Sequence, residues 1–180
     1  MKADRTPDLW RRAASFAARM HRGQFRRDGV TPYAAHPARV GMTVAAVFGC
    51  DDPETIAIAY LHDVIEDTTA DYEDLLDAFG PVVADGVAAL SKNAALPSAR
   101  REAAYDEGLE AASWRAKLVK LADVIDNMAD MTTDGDEGRR DRVASRARRA
   151  IDIARRDPSG RLRAAADIAE AALERFRADG

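Results

Sequence analysis

Cysteine is almost missing from this chain: Cys50 is the only one in 180 residues. It cannot form an internal disulfide, so nothing points to an oxidising compartment, and the cytoplasm is the expected location. It also follows a glycine at a predicted helix end, with no nearby base that would mark it as a nucleophile. Long apolar runs are lacking too. No segment approaches the ~20 apolar residues that cross a bilayer. The N-terminal MKADRTPDLWRRAASFAARM has no uninterrupted apolar core of the signal-peptide kind, so neither export nor membrane insertion is expected. A basic excess is absent as well. The formal charge is -4, which argues against a whole-protein nucleic-acid footprint. Alternating runs of Val, Ile and Thr are nearly absent, which leaves little room for a sheet. Histidine is scarce, limited to His21, His36 and His62.

What is present is helical period from end to end, with 47% apolar and 32% charged residues, ordinary for a globular protein. The expected fold is all-α: a helical bundle over residues 1–132, with a C-terminal helical extension over 133–180 packing on it. Thr6 and Pro7 cap and open a first helix running to about His21. Residues 22–36 (RGQFRRDGVTPYAAH) hold glycines, a proline and arginines without an apolar stripe, and predict a structured, ligand-contacting loop. Pro37 opens a second helix ending near Gly49, and Asp52 with Pro53 opens a third reaching about Asp67. Gly80 stops a short helix and Pro81 starts another. A longer helix carries WRAKLVKLADVIDNMADM. Beyond a polar linker, TTDGDEG, two helices separated by DPSG complete the chain.

The third helix, PETIAIAYLHDVIED, is apolar on nearly every side until its last turns, where His62, Asp63, Glu66 and Asp67 share one arc. Ile56, Ala59 and Tyr60 occupy the same arc earlier, so this is not a solvated stripe but the lining of a pocket. Several ionised carboxylates buried together are costly unless a cation or hydrogen-bond donors compensate them. For a His-Asp dipeptide alone, a core histidine beside a helix cap is the favoured reading. On the longer helix Asp123, Asn127 and Asp130 lie opposite the stripe Leu118, Leu121, Ala122, Ile125 and Met128. By periodicity they form a water-facing row.

Three strings taken together decide more: HRGQFRRDGVTPYAAHP, then LHDVIEDT, then VKLADVIDN. Over roughly residues 8 to 131 their order and spacing resemble HD-domain hydrolases of the RelA/SpoT type, especially the small stand-alone alarmone hydrolases. The resemblance implies that His36, His62, Asp63 and Asp123 are the ligands of one manganese ion, with iron, cobalt or zinc as alternatives. It implies that Glu66 and Asp67 position or activate water, that Arg26 and Arg27 lie near the nucleotide base, and that Asn127 lies on the ribose side. Asp130 stands where threonine is frequent in the family and counts with the substrate-binding group. Two imidazoles and two carboxylates are a mixed donor set suited to such an ion, which acidifies water and polarises a phosphoryl oxygen. Arginines would clamp the charged substrate.

The implied activity is hydrolysis of the 3′-pyrophosphate of guanosine tetra- or pentaphosphate, by a chain without a domain to synthesise that nucleotide. Val30, Ser91, Lys92, Val124 and Asp130 depart from the pattern of long bifunctional members. They leave the ligands untouched and bear on the guanosine preference. Phosphate removal from a nucleoside monophosphate or NADPH is the nearest alternative, and a silent nucleotide-binding helical module is a second. The expected partner is a nucleotide, without nucleic acid or membrane; homo-oligomerisation stays open. His21 is expected to be a hydrogen-bonded structural residue, and Trp10, Phe16 and Trp114 core anchors. Arg139, Arg140, Arg142, Arg146, Arg148 and Arg149 invite a nucleic-acid or phosphate reading, but the interleaved Asp136, Glu137 and Asp141 favour a solvated helix face.

Overall fold

The computed structural model describes residues 6–93, 95–131 and 137–179. Within them the chain is all-helical, with one isolated bridge between Phe25 and Pro32. Helix α1 spans Thr6–Met20, α2 spans Ala35–Met42, and a π-helical turn, Thr43–Val47, continues it. Then come α3 (Pro53–Leu61), α4 (Val64–Asp67), α5 (Tyr72–Phe79) and α6 (Pro81–Ala88). Helices α7 (Ser98–Ala111), α8 (Trp114–Ala129), α9 (Glu137–Arg155) and α10 (Arg163–Ala178) follow. Most of the TTDGDEG linker, residues 132–136, lies outside the described residues, as do the side chains of Thr6 and Pro7.

Helix α3 is the axis of the fold because its sequence leaves no polar side. Ala57, Ile58, Ala59 and Leu61 are fully buried, and α1, α2, α6 and α8 pack around it. Each large aliphatic side chain enclosed this way contributes about 1.5–3 kcal/mol. Gly86 of α6 is required here: a Cβ at that position would run into the Ile58 side chain. The start of α3 is fixed by Asp52, whose carboxylate accepts from the Thr55 N–H at 2.9 Å and is gripped by Arg115 of α8 at 2.8 and 3.2 Å. Helices α9 and α10 pack on each other and on α8, burying Ile151, Leu162 and Leu173. Lys117 of α8 reaches Asp157, in the turn between them, at 2.8 Å.

Three boundaries differ from the sequence reading, each for a local reason. Helix α2 starts at Ala35, so Pro37 sits inside the first turn, where a missing N–H still costs nothing. The helix expected to run to Asp67 breaks at His62 and Asp63 and resumes as the short α4. Helix α7 was not foreseen. Its sequence, SARREAAYDEGLEA, is polar nearly all round, and among its described residues Tyr105 and Leu109 are the buried apolar side chains.

Candidate metal centre and active site

The break after α3 is what brings the donors together. His62 still has helical dihedrals, Asp63 turns to φ −99° and ψ −3°, and both side chains leave the helix end in one direction. His36 arrives from the first turn of α2 and Asp123 from the middle of α8. His36 Nε2 and His62 Nε2 lie 3.1 Å apart. Asp63 Oδ2 is 3.4 and 3.2 Å from these two nitrogens, and Asp123 Oδ1 is 3.3 and 3.6 Å from them. His36, His62 and Asp123 are buried, with donor atoms all within 4.8 Å of one another. Asp63 is more open, and its Oδ2 also accepts from the Tyr33 hydroxyl at 2.6 Å. The water-facing row expected at Asp123 is therefore overturned: α2 and the α3 break cover that face of α8.

The other ring nitrogens are already committed. His62 Nδ1 donates to the Ala59 carbonyl at 2.8 Å, and His36 Nδ1 to Asp126 at 2.7 Å. Two Nε2 lone pairs and two carboxylate oxygens thus face one another at separations close to the edges of a coordination polyhedron with bonds near 2.1 Å, about 3 Å. Such an arrangement repels itself unless a proton or cation stands at its centre. A divalent cation fits this donor set. In its absence protons take that place. Burial would depress His36, but hydrogen bonds to Asp123, Asp126 and Asp63 outweigh it and raise the imidazole to about 11. Burial opposes protonation of His62 as well, and the charges of Asp63 and Asp123 raise it to about 9. Burial acts to raise both aspartates, yet His62 holds Asp63, and Lys120 with both histidines holds Asp123, well below the usual carboxylate range.

Around this centre lies a cavity of about 510 Å³, of the size that takes a nucleotide. Glu66 and Asp67 line its edge and are exposed rather than buried. Glu66 accepts from the Lys92 backbone N–H at 3.0 Å, and Asp67 Oδ2 lies 2.9 Å from the Tyr33 hydroxyl, sharing its single proton with Asp63. Arg26, Arg27 and Asn127 also line it. Asn127 donates to Asp123 Oδ1 at 2.5 Å, and Arg26 stacks over Tyr33 with its guanidinium 5.3 Å from the ring centre. Asp130 is not among the lining residues. It stands behind Arg26, accepting from its Nε at 2.7 Å. His21 is buried, bonded through Nδ1 to Gln24 at 2.8 Å and stacked on Tyr33, away from the donors. Trp10, Phe16 and Trp114 lie outside the cavity lining; Phe16 meets Phe79 edge-on at 5.5 Å.

The opposite wall corrects the solvated face favoured from the sequence. Arg139, Arg142 and Arg146 of α9 line the cavity with Lys92, Tyr105 and Lys120. Lys120 lies inside the VKLADVIDN string and donates to Asp123 Oδ2 at 2.8 Å, and Tyr33 lies inside the first string. Both were within reach of a closer reading. The α9 arginines carry an ambiguous local signal, a run of basic residues interleaved with acids, and it is the packing of α9 on α8 that turns part of that face toward the cavity.

Comparison with known proteins agrees with this geometry. The HD domain family model matches residues 13–151. This chain belongs to the HD-domain family. The guanosine-3′,5′-bis(diphosphate) 3′-pyrophosphohydrolase of Danio rerio is 39% identical over 125 residues, 69% of each chain. That of Drosophila melanogaster is 37% identical over 143 residues, 76% of this chain and 79% of the relative. A solved structure described as a metazoan ortholog of SpoT that hydrolyzes ppGpp superposes with a TM-score of 0.78 at 31% identity, covering 96% of both chains. No helix among the described residues is long and apolar enough to cross a membrane.

Proposed function

We propose that this HD-domain chain removes the 3′-pyrophosphate from guanosine tetra- or pentaphosphate, giving GDP or GTP and pyrophosphate, with one manganese ion held by His36, His62, Asp63 and Asp123. The observation that carries the reading is the pairing of a four-donor cluster on the cavity floor with a cationic wall across from it. The Danio and Drosophila relatives, named for this reaction, support it. The bound ion supplies an acidified water and takes up negative charge on the phosphoryl oxygens.

The protein's own groups do the rest. Glu66 and Asp67, at the cavity edge next to Asp63, accept hydrogen bonds from a water and orient it toward phosphorus; Tyr33 holds Asp67, and the Lys92 N–H holds Glu66. Arg26, stacked on Tyr33 and fixed by Asp130, presents a flat guanidinium face to the base, with Arg27 beside it and Asn127 on the ribose side. Arg139, Arg142, Arg146 and Lys92 meet the remaining phosphates, as charge-assisted donors do. Helices α9 and α10 are then less an appendage than support for one wall of the site, because α9 lines the cavity and both helices pack on α8. A single half-buried thiol, Cys50, suits a reducing cytoplasm.

Incubating the metal-free protein with Mn²⁺ and a panel of nucleotides, followed by product analysis, tests this directly. The expected products from guanosine tetraphosphate are GDP and pyrophosphate. Release of orthophosphate, or turnover confined to nucleoside monophosphates or NADPH, would replace the substrate assignment.

A further inference from the structure

His36 is held by more than the metal site needs for packing alone. Helix α2 places His36 and Arg39 about one turn apart, facing α8, and both meet the same carboxylate. Asp126 Oδ2 accepts from His36 Nδ1 at 2.7 Å, while Arg39 forks onto Asp126 through Nε to Oδ1 at 2.6 Å and Nη2 to Oδ2 at 2.9 Å. Asp126 is only 6% exposed, so its charge depends on these donors for compensation. Arg39 also reaches Asp130 Oδ1 at 3.3 Å, and Asp130 Oδ2 fixes Arg26 at 2.7 Å.

The geometry points to Asp126, clamped by Arg39, as a positioning residue: it fixes the Nδ1–H tautomer and ring orientation of His36, so that Nε2 faces the cation, and through Asp130 couples that ligand to the base-binding Arg26. The inference rests on the metal-site reading and deepens it. A carboxylate behind a metal-bound imidazole orients the ring and strengthens it as a donor, and its removal typically costs about 10–100-fold in metal affinity. A plain interhelical salt bridge would make no such difference. It would tie α2 to α8 without caring which nitrogen of His36 carries the proton.

Calorimetric titration of Mn²⁺ into the metal-free full-length protein separates these roles. Wild type takes up one ion per chain. Asp126→Ala binds it about 10–100-fold more weakly at unchanged helical circular dichroism. Asp126→Asn keeps an acceptor for the ring but turns an amide against Arg39, and falls between. Arg39→Ala, altering a partly exposed side chain, weakens binding by a smaller factor in the same direction, again at unchanged helical circular dichroism. In Zn²⁺-loaded protein, ¹⁵N imidazole spectra show a slowly exchanging Nδ1–H on His36 that Asp126→Ala loses. If wild type binds the ion and all three variants match it within about twofold, with the Nδ1–H signal intact, the positioning role is wrong while the metal site stands. If wild type itself binds no divalent ion, the metal-site reading fails and takes this inference with it.

Discussion

On the cavity floor every donor side chain is held by a partner outside the cluster, whereas on the α9 wall charged side chains reach in from a largely solvated helix face. His36 leans on Asp126, His62 on the Ala59 carbonyl, Asp63 on Tyr33, and Asp123 on Lys120 and Asn127. Arg146, by contrast, stays exposed and pairs at 2.9 Å with Glu102. The floor carries its electrostatic cost in the folded state, so that an arriving cation relieves repulsion already built in. The wall costs little to fold and acts through charge, at a strength that solvent and salt reduce. In the proposed reaction the first region supplies geometry and the second selection.

Changes to the floor should therefore dwarf changes to the wall. Asp63→Asn should lower turnover by at least about 1,000-fold, several kcal/mol of lost transition-state stabilisation; a variant retaining a tenth of the activity would break the contrast. Next in size is pH. His36 and His62 are raised to about 11 and about 9 without the ion, from a usual imidazole value of 6.5. Stability drawn from their protonated forms is fully present below about 6.5 and is lost as pH rises through about 9. Uptake of the ion runs the opposite way, since it must displace those protons. Apparent Mn²⁺ affinity should rise about tenfold or more per unit between about pH 6 and pH 8, with proton release visible as a dependence of the heat on buffer. A flat profile would show that the donors are already free.

The wall predicts a smaller and different response. Replacing Arg139, Arg142 and Arg146 together by Gln should raise KM about tenfold with kcat nearly constant, and the wild-type KM should climb with added salt while the triple variant's does not. A loss concentrated in kcat would move these arginines to the reacting end. Chelating the ion should lower the thermal midpoint by roughly 5–10 °C, the size expected when a ligand at about 100 times its Kd is withdrawn from a chain of this length. Smallest of all is Arg148→Gln. Arg148 sits on the same helix but pairs with Glu170 of α10 at 2.5 Å and does not line the cavity. KM should hold, with stability changed by less than about 1 kcal/mol.

The same contrast explains what could be read before the fold was known. The floor was legible only through three strings taken together: LHDVIEDT puts an imidazole and carboxylates at the end of an otherwise apolar helix, yet alone it reads as a core histidine beside a cap, and the full ligand set came from the family resemblance. The all-α class followed from period alone. Asp123 could not be placed by period, because its neighbours put it opposite the stripe, and only α2 and the α3 break enclose it. The break itself is invisible in sequence: no glycine or proline marks His62 and Asp63, and their departure from the helix is set by what they face. The wall was illegible for a related reason. An Arg-rich face interleaved with acids reads as solvated on any helix, and Arg139, Arg142 and Arg146 remain accessible even while lining the cavity. Asp126 was hidden by its company, one more acid in a row of them, until Arg39 and His36 were seen to converge on it.

The central claim is that residues from a loop-to-helix junction, a broken helix and a distant helix share one ion. Anomalous diffraction at the manganese edge, from crystals equilibrated with Mn²⁺, addresses it most directly. A single strong peak per chain is expected, about 2.0–2.3 Å from Nε2 of His36 and of His62 and from a carboxylate oxygen of Asp63 and of Asp123. A peak elsewhere, or one that leaves out His36 or Asp123, would contradict it.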